Sequence, residues 1–572
     1  MRTLRLIFVA AVVSAGLSAC KKDTNPARAQ VPATDALWAL APADTEIGVV
    51  AGPGTGALLI AAWDEFERSA AGVPGAQDAV AEIRAEFPPE VFDAEARRAT
   101  GLDLARGAAL FVNADESPVL VLPVADREAF RTWVGATPDG DGEGDDAVDV
   151  VEDLRCRVRG EHYVCADSDA RLAAIGSGSL ADLIRARPAA LRGHIEVHVA
   201  AAALRRVEDE ELSDLDEVEQ FFDDMGSLAL AVQLERGGVT VRGHLPGTPR
   251  HPIAKAFVAV PDRLARRVAE LPAASFTRLR VPVAAMIPEQ ETRELASAAE
   301  SLGVDVANDI LHNLSGEMVV YSAGGDALAA AIEVGVEDAT RLRPLVAMGC
   351  SMGAMLLPTE MKDQRCTAKV DPGRLQDDPA TPALNLDGPA ELLLASDDGA
   401  LRASISVPIK RPGEAAQTEI AKELATGAWA FALYGYGSVL AGRPPADLAA
   451  LGSLSRDDAA ALWFAAHLVE VGAGLGVRDD GMHGLVRVST QWANPEPVVR
   501  AFEASLARLL RGEDGAGGEL AALAEEHDDT ALGRSARAGI AGLAGAALGV
   551  GVPAAVFVPA FVHYGELSAS PR

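Results

Sequence analysis

The sequence has little positive charge. It carries 51 lysine and arginine residues against 83 aspartate and glutamate residues, which gives a formal net charge of -32 over 572 residues. Nucleic-acid binding needs a basic face for the phosphates, so this composition argues against nucleic acid as a partner. It also argues against a polybasic contact with anionic lipid. Hydrophobic residues make up 49% of the chain, which is enough for globular cores, and the length predicts two to four domains.

Cysteine is also scarce, with five in the chain. No Cys-x-x-Cys pair occurs, so a metal site built from cysteines is the weaker alternative. Four of the five form an even set that predicts two disulfides, Cys156–Cys165 and, by elimination, Cys350–Cys366. The first pair flanks a two-residue turn at Gly160-Glu161, which would place the two cysteines directly opposite each other on a hairpin.

The fifth cysteine ends a short export signal. Two arginines precede an apolar run of about eleven residues, too short for a bilayer that needs about twenty. Leu17-Ser18-Ala19-Cys20 follows, and it resembles the lipobox of bacterial lipoproteins. The resemblance implies that residues 1–20 are a signal peptide and that Cys20 carries lipid. The body would then be membrane-anchored in the cell envelope and face the periplasm. An ordinary signal peptide with a chance cysteine is the alternative, and inner or outer membrane stays open.

Several patterns recur in the same order in the two halves of the chain. Asp153-Leu154-Arg155-Cys156 is matched by Asp363-Gln364-Arg365-Cys366. A two-strand meander about Gly237-Gly238 is matched by one about Asp480-Gly481. The strands alternate apolar and polar residues, as in antiparallel sheets with one covered face. The sequence therefore predicts an α+β fold: two tandem duplicated domains, each a largely antiparallel sheet with helices on one face, plus a C-terminal hydrophobic helix.

The domain organisation follows from these patterns and from changes in composition. Residues 538–562 carry no charge and would be roughly 37 Å long as a helix, enough to span a membrane; a buried Gly/Ala-rich core helix is the alternative. In chain order we expect a signal peptide (1–20), a tether (21–35), a first α+β repeat (36–250), a second α+β repeat (251–495), a helical linker (496–530) and a membrane helix (538–562).

Two further resemblances rest on short motifs. Ala41-Pro42-Ala43-Asp44-Thr45 resembles the Leu-Pro-Ala-Asp-Thr strand opening of an exported bacterial family of unknown function, with alanine in place of leucine. That resemblance implies no catalytic residues. Pro559-Ala560-Phe561-Val562-His563-Tyr564 is similar to part of the hydrophobic helix of type IV pilin-like proteins. The processing site of that family is absent here.

Two motifs could carry chemistry. Gly349-Cys350-Ser351-Met352-Gly353 matches Gly-x-Ser-x-Gly, in which the serine is a nucleophile on a sharp strand-to-helix turn; the alternative is a loop that ends a helix. His194, Glu196 and His198 would share one face of a strand and could hold a transition metal. The alternative is an exposed sheet face.

These observations favour a lipid-anchored cell-envelope protein that serves as a non-catalytic binding or assembly module, with another envelope protein as its partner. No cofactor is expected. The expected membrane contacts are the N-terminal lipid and the C-terminal helix. Two alternatives stay open: a periplasmic hydrolase that uses Ser351, and a metal-dependent binder that uses His194, Glu196 and His198.

Overall fold

The computed structural model describes most of the chain between residues 34 and 513. The described residues are 34–86, 90, 93–139, 147–178, 180–208, 222–235, 237–270, 275–282, 311–323, 327–355, 357–370, 390–397, 399–408, 418–436, 463, 466–492, 497–511 and 513. They divide into two compact units. Unit 1 falls within residues 1–248, 455–463 and 480–496, and unit 2 falls within residues 249–454, 464–479 and 497–572.

The regular elements are strands and mostly short helices. The strands are β1 Thr45–Ala51, β2 Ala108–Asn113, β3 Pro118–Leu122, β4 Thr137–Asp139, β5 Val148–Val151, β6 Leu154–Arg159, β7 His162–Ala166, β8 Ile195–Val199, β9 Phe222–Asp223, β10 Leu228–Glu235, β11 Gly238–Pro246, β12 Thr248–Pro249, β13 Ser275–Arg280, β14 Leu314–Ala323, β15 Ala327–Val336, β16 Thr359–Lys362, β17 Arg365–Val370, β18 Ala390–Asp397, β19 Ala400–Pro408, β20 Phe431–Tyr436, β21 Leu468–Arg478 and β22 Gly481–Thr490. The helices are α1 Asp35–Trp38, α2 Thr55–Ala70, α3 Pro74–Glu86, α4 Ala94–Ala99, α5 Arg127–Val134, α6 Asp169–Ala174, α7 Leu180–Arg185, α8 Ala201–Glu208, α9 Pro252–Ala259, α10 Ala265–Glu270, α11 Arg343–Gly353, α12 Glu419–Thr426 and α13 Pro497–Leu510.

Unit 1 contains one antiparallel sheet in which neighbours in space are often neighbours in sequence. Its strand order is β4-β5-β6-β7-β3-β2-β1-β8-β10-β11-β22. The predicted meander around residue 237 is present as β10 and β11. The last strand, β22, comes from more than 230 residues further along the chain and pairs with β11. The order is thus local in the hairpins, whereas the pairings β1–β8 and β11–β22 join strands that lie more than 140 residues apart.

Unit 2 also contains an antiparallel sheet. Its strand order is β16-β17-β18-β19-β15-β14-β13-β20-β21. Asp363 and Gln364 join β16 to β17 with positive φ angles of 46° and 66°, as a two-residue hairpin turn requires. The fold is therefore α+β with extensive antiparallel sheet, as the sequence predicts.

Helix α5 shows how local sequence sets an element and its packing in unit 1. The Asp126 side chain accepts hydrogen bonds from the backbone of Glu128 and Ala129, both at 3.0 Å, so the helix begins at the next residue. It ends at Gly135, whose φ of 68° favours glycine. Phe130 on its buried face packs edge-on against Tyr163 of β7, with ring centroids 5.3 Å apart.

Two arginines of α5 reach a carboxylate in the interior. Asp149 on β5 is fully buried and accepts hydrogen bonds from Arg127 at 3.0 Å, from Arg131 at 2.8 Å and from the Tyr163 hydroxyl. Burial raises the pKa of Asp149, but these hydrogen bonds outweigh it and hold the pKa below its usual value. The charge is thus retained inside the unit and ties α5 to the sheet.

No helix in the described ranges has both the length and the apolarity to cross a membrane. The segments predicted as signal peptide (1–20, with Cys20) and membrane helix (538–562) lie outside the described residues. Of the predicted linker, α13 is described, with Val499, Phe502 and Leu506 buried.

Candidate metal centre

Two histidines face each other across the last ladder of the unit 1 sheet. Strands β11 and β22 pair from Gly238↔Ser489 to Pro246↔Gly481, and this register puts His244 directly opposite His483. Opposite residues of an antiparallel pair point to the same face of the sheet. The two imidazole rings are stacked accordingly, with centroids 4.3 Å apart and planes 24° apart.

A carboxylate completes the group from the turn before β22. Asp480 Oδ1 lies 2.8 Å from Nε2 of His483, and Asp480 Oδ2 lies 3.8 Å from Nε2 of His244. One ligand atom from each of the three residues lies within 4.8 Å of the others. In the part of the chain that the structure describes, this is the group of His, Cys, Asp and Glu side chains placed closely enough to hold one ion.

A glycine fixes where the carboxylate sits. Gly481 has a φ of 130°, and a Cβ there would come within 2.1 Å of the carbonyl oxygen of Leu245. The backbone carbonyl of Asp480 also accepts a hydrogen bond from the amide of Gly247 at 3.1 Å. The two strands therefore approach closely at this end of the ladder, and Asp480 is held beside both imidazoles by backbone contacts.

The group carries the charge that a cation needs. Partial burial raises the pKa of Asp480, but the hydrogen bond from His483 and the nearby imidazoles outweigh it, so that pKa lies below its usual value. The carboxylate is therefore ionised near neutral pH. Its side chain is 63% exposed, whereas each histidine side chain is 16% exposed.

Two imidazoles and one carboxylate are ligands that zinc and other divalent transition metals prefer. Three protein ligands would leave a further coordination position for water or another molecule. The arrangement can hold an ion on two paired strands.

The histidine–glutamate motif predicted from the sequence lies elsewhere in unit 1, at β8. His194, Glu196 and His198 are all buried, so the alternative of an exposed sheet face is wrong. Their polar atoms contact protein groups: His194 Nδ1 accepts a hydrogen bond from the Leu234 amide at 3.0 Å, and His198 Nδ1 lies 2.8 Å from a nitrogen of Arg187.

Glu196 is the best-bonded member of that motif. It accepts hydrogen bonds from the indole of Trp38 at 2.8 Å, from Arg192 at 2.7 Å and from the Gly193 amide at 3.2 Å. Arg192 in turn contacts Asp35 at 2.6 Å. This network joins β8 to α1, and it gives the buried glutamate a structural role in the interior.

Ser351 lies in the last turn of α11, and its hydroxyl donates to the carbonyl of Ala347 at 2.9 Å. A nucleophile elbow needs a strand before the serine and a sharp turn at it. Here helix precedes and includes the serine, because Gly349 and Cys350 belong to the same helix. The placement is that of an exposed helical serine.

The described cysteines form the two predicted disulfides. Cys156 and Cys165 are paired residues of the β6–β7 hairpin, with Gly160 at a φ of 60° in its turn. Cys350 of α11 bonds to Cys366 of β17. The first bond closes a hairpin, and the second fastens a helix to the sheet of unit 2.

The grouping of His244, Asp480 and His483 was not predicted. A local signal exists, since Asp480 and His483 are three residues apart at a turn predicted from Asp480-Gly481. The third residue, His244, becomes a neighbour through the β11–β22 pairing alone, and the sequence pattern assigns each of these strands to its own meander.

Comparisons with known proteins leave the family open. No protein-family model matches the chain, and no curated protein matches it. One solved structure, described as "Structure of crystal form III of TP0453", is similar with a TM-score of 0.23 and 10% sequence identity, over 40% of this chain and 86% of that chain. A likeness this slight assigns neither a fold nor a function.

Proposed function

We propose that this chain is a lipid-anchored envelope protein that acts as a non-catalytic binding module and holds a divalent transition-metal ion at His244, Asp480 and His483. The observation that carries the metal assignment is the convergence of three ligand atoms within 4.8 Å. Paired strands position both histidines, and an ionised carboxylate supplies the negative charge.

Binding at this group should depend on pH. His483 contacts Asp480 at 2.8 Å, and an ion that takes the ring nitrogen must displace the proton shared with the carboxylate. Ligands bind metals in their deprotonated forms, so binding releases protons and weakens in acid. The site would therefore hold its ion more tightly at about pH 7.5 than at about pH 5.5.

The test is calorimetric titration of the purified full-length chain with Zn²⁺ at about pH 7.5. We expect about one equivalent to bind to the wild type, the His483→Gln variant to lose it, and the Asp480→Asn variant to bind about tenfold more weakly. His162→Gln is a matched control, because His162 also lies on a strand of unit 1 and contacts a backbone carbonyl. Undiminished zinc binding by the His483→Gln variant would show that the assignment is wrong.

The envelope location is supported by the lipobox-like residues that end at Cys20 and by the two disulfides, which persist in oxidising compartments. Membrane fractionation tests this location. It compares the wild type with Cys20→Ala, with a deletion of residues 538–572, and with the two changes combined. Release from the membrane by Cys20→Ala alone would assign the anchor to the lipid. Retention until both ends are changed would indicate two anchors, and a wild type found wholly in the soluble fraction would contradict the proposal.

We also infer that the two units arose by tandem duplication, each with helices over one face of its sheet. The strand orders support this. Strands β4-β5-β6-β7-β3-β2-β1-β8-β10 of unit 1 and β16-β17-β18-β19-β15-β14-β13-β20-β21 of unit 2 follow the same succession of connections. When the strand orders are aligned in this way, β17, which contains Cys366, corresponds to β5, whereas Cys156 lies on β6. The similar sequences Asp153–Cys156 and Asp363–Cys366 therefore lie in successive hairpins of the two sheets and not in equivalent ones.

A further inference from the structure

Exposed methionines are concentrated on one short stretch of unit 2. Among the residues that the structure describes, nine large hydrophobic side chains are exposed, and four of them are methionines between positions 348 and 361. The exposed fractions are 38% for Met348, 57% for Met352, 77% for Met355 and 44% for Met361. Methionine is otherwise an ordinary filler of cores, so this placement needs its own explanation.

Three of these methionines share one face of a helix. Met348 and Met352 are four residues apart in α11, and Met355 follows three residues later. The helical turn continues past the end of α11, because the amide of Ala354 donates to Cys350 at 2.9 Å and the amide of Leu357 donates to Gly353 at 2.9 Å. Spacings of three and four residues place side chains next to each other on a helix surface, roughly 5–6 Å apart at Cβ.

The opposite face of the helix fixes this methionine stripe (Met348, Met352 and Met355) toward solvent. Val346 and Cys350 are buried in a cluster with Cys366, and the disulfide between the two cysteines fastens α11 to β17. Cys350 lies two residues from both Met348 and Met352, which is about 200° around a helix of about 3.6 residues per turn. The stripe therefore points away from the sheet.

The neighbours of the stripe are small. Ala347, Ser351 and Ala354 are exposed beside it, and Ser351 turns its hydroxyl back onto the helix through its bond to the Ala347 carbonyl. The three methionines are therefore the large exposed hydrophobic side chains on this face. Both nearby cysteines are in a disulfide and offer no thiolate.

We propose that Met348, Met352 and Met355 form a binding site for Cu(I). Thioethers are soft, neutral ligands that select Cu(I) over harder divalent ions. Met352 lies one turn from each of the other two, and methionine side chains are long and flexible, so the three sulfurs can reach one ion placed beside Met352. The site differs in chemistry and in position from the imidazole–carboxylate group of unit 1.

The experiment is an anaerobic titration of the oxidised full-length chain with Cu(I), in ascorbate and with bicinchoninate as the competing chromophore. We expect about one equivalent of Cu(I) to be withheld from the chromophore by the wild type. The variant with Met348→Leu, Met352→Leu and Met355→Leu should lose it, because leucine keeps the apolar surface and the helix propensity but removes the sulfur.

Two further variants decide the assignment. Met361→Leu is the matched control, since Met361 is similarly exposed but lies on β16 and not on the stripe; it should bind like the wild type. The His483→Gln variant should also bind about one equivalent of Cu(I), which distinguishes this site from the imidazole–carboxylate group of unit 1. Undiminished Cu(I) binding by the triple leucine variant, with a wild-type circular dichroism spectrum, would overturn it, as would an absence of Cu(I) binding by the wild type.

Discussion

The buried His198 of β8 should make the stability of unit 1 depend on pH. Its Nδ1 lies 2.8 Å from Nη2 of Arg187, and Nη1 of the same arginine donates to the carbonyl of Val197 at 3.3 Å. A guanidinium is a donor alone, so Nδ1 must accept and the ring must be neutral, with its proton on Nε2. Protonation of Nδ1 would set two donors and two positive charges against each other.

The size of the effect follows from the pKa. Burial and then the charge of Arg187 lower the pKa of His198 from 6.5 to about 4. The unfolded chain therefore binds a proton at this residue at a higher pH than the folded chain does, and stability falls as pH falls from about 6.5 to about 4. At about 1.4 kcal/mol per pH unit, the free energy of unfolding falls by about 3 kcal/mol across this window. Glu196 and Arg192 also act electrostatically on Arg187, with opposite effects on its pKa.

The perturbation is His198→Gln, whose amide oxygen can accept from Arg187 and does not titrate. Urea unfolding followed by tryptophan fluorescence, between about pH 7 and about pH 4, measures the free energy of unfolding of both proteins. We expect the wild type to lose about 3 kcal/mol more than the variant over this range. Parallel curves for the two proteins would refute a neutral buried ring at His198.

Two further predictions concern unit 1. Gly101 has a φ of 72°, and a Cβ there would lie 2.2 Å from the carbonyl oxygen of Asp126, whereas Gly135 has a φ of 68° and open space around it. Gly101→Ala should therefore lower the free energy of unfolding by more than about 2 kcal/mol and Gly135→Ala by about 1 kcal/mol, and equal losses in urea unfolding would contradict the close contact with Asp126 as the cause. Asp149→Asn should cost about 3–5 kcal/mol, because it leaves two arginines at α5 without their buried counter-charge; a loss below about 1 kcal/mol in the same assay would show that the pair is dispensable.

Local features of this chain were predictable from the sequence. The β6–β7 hairpin and its disulfide follow from the spacing of Cys156 and Cys165 about Gly160, since a two-residue turn fixes the register of the strands that it joins. The meander of β10 and β11 follows in the same way. In each case the interacting residues are near in sequence, so the pattern contains both partners.

Burial and long-range pairing were not predictable in the same way. The polar residues His194, Glu196 and His198 alternate with apolar residues, as expected. Such alternation identifies an exposed face only when a single side of the sheet is covered. Strand β8 has buried residues on both of its faces, as Ile195 beside Glu196 shows. The imidazole–carboxylate group depends on the pairing of β22 with the edge of β11, and that pairing depends on packing throughout unit 1.

The β11–β22 ladder has a consequence for how the chain is made. A protein synthesised or exported from its N-terminus delivers β11 long before β22, because residues 247–480 lie between them. Until β22 arrives, β11 is an edge strand whose free amides and carbonyls can pair with another chain. Non-local closure of this kind is also slow, since a long loop must be ordered first. Pairing of β22 with β11 would therefore complete the sheet of unit 1 late in folding. The imidazole–carboxylate group would form in chains in which this pairing has taken place.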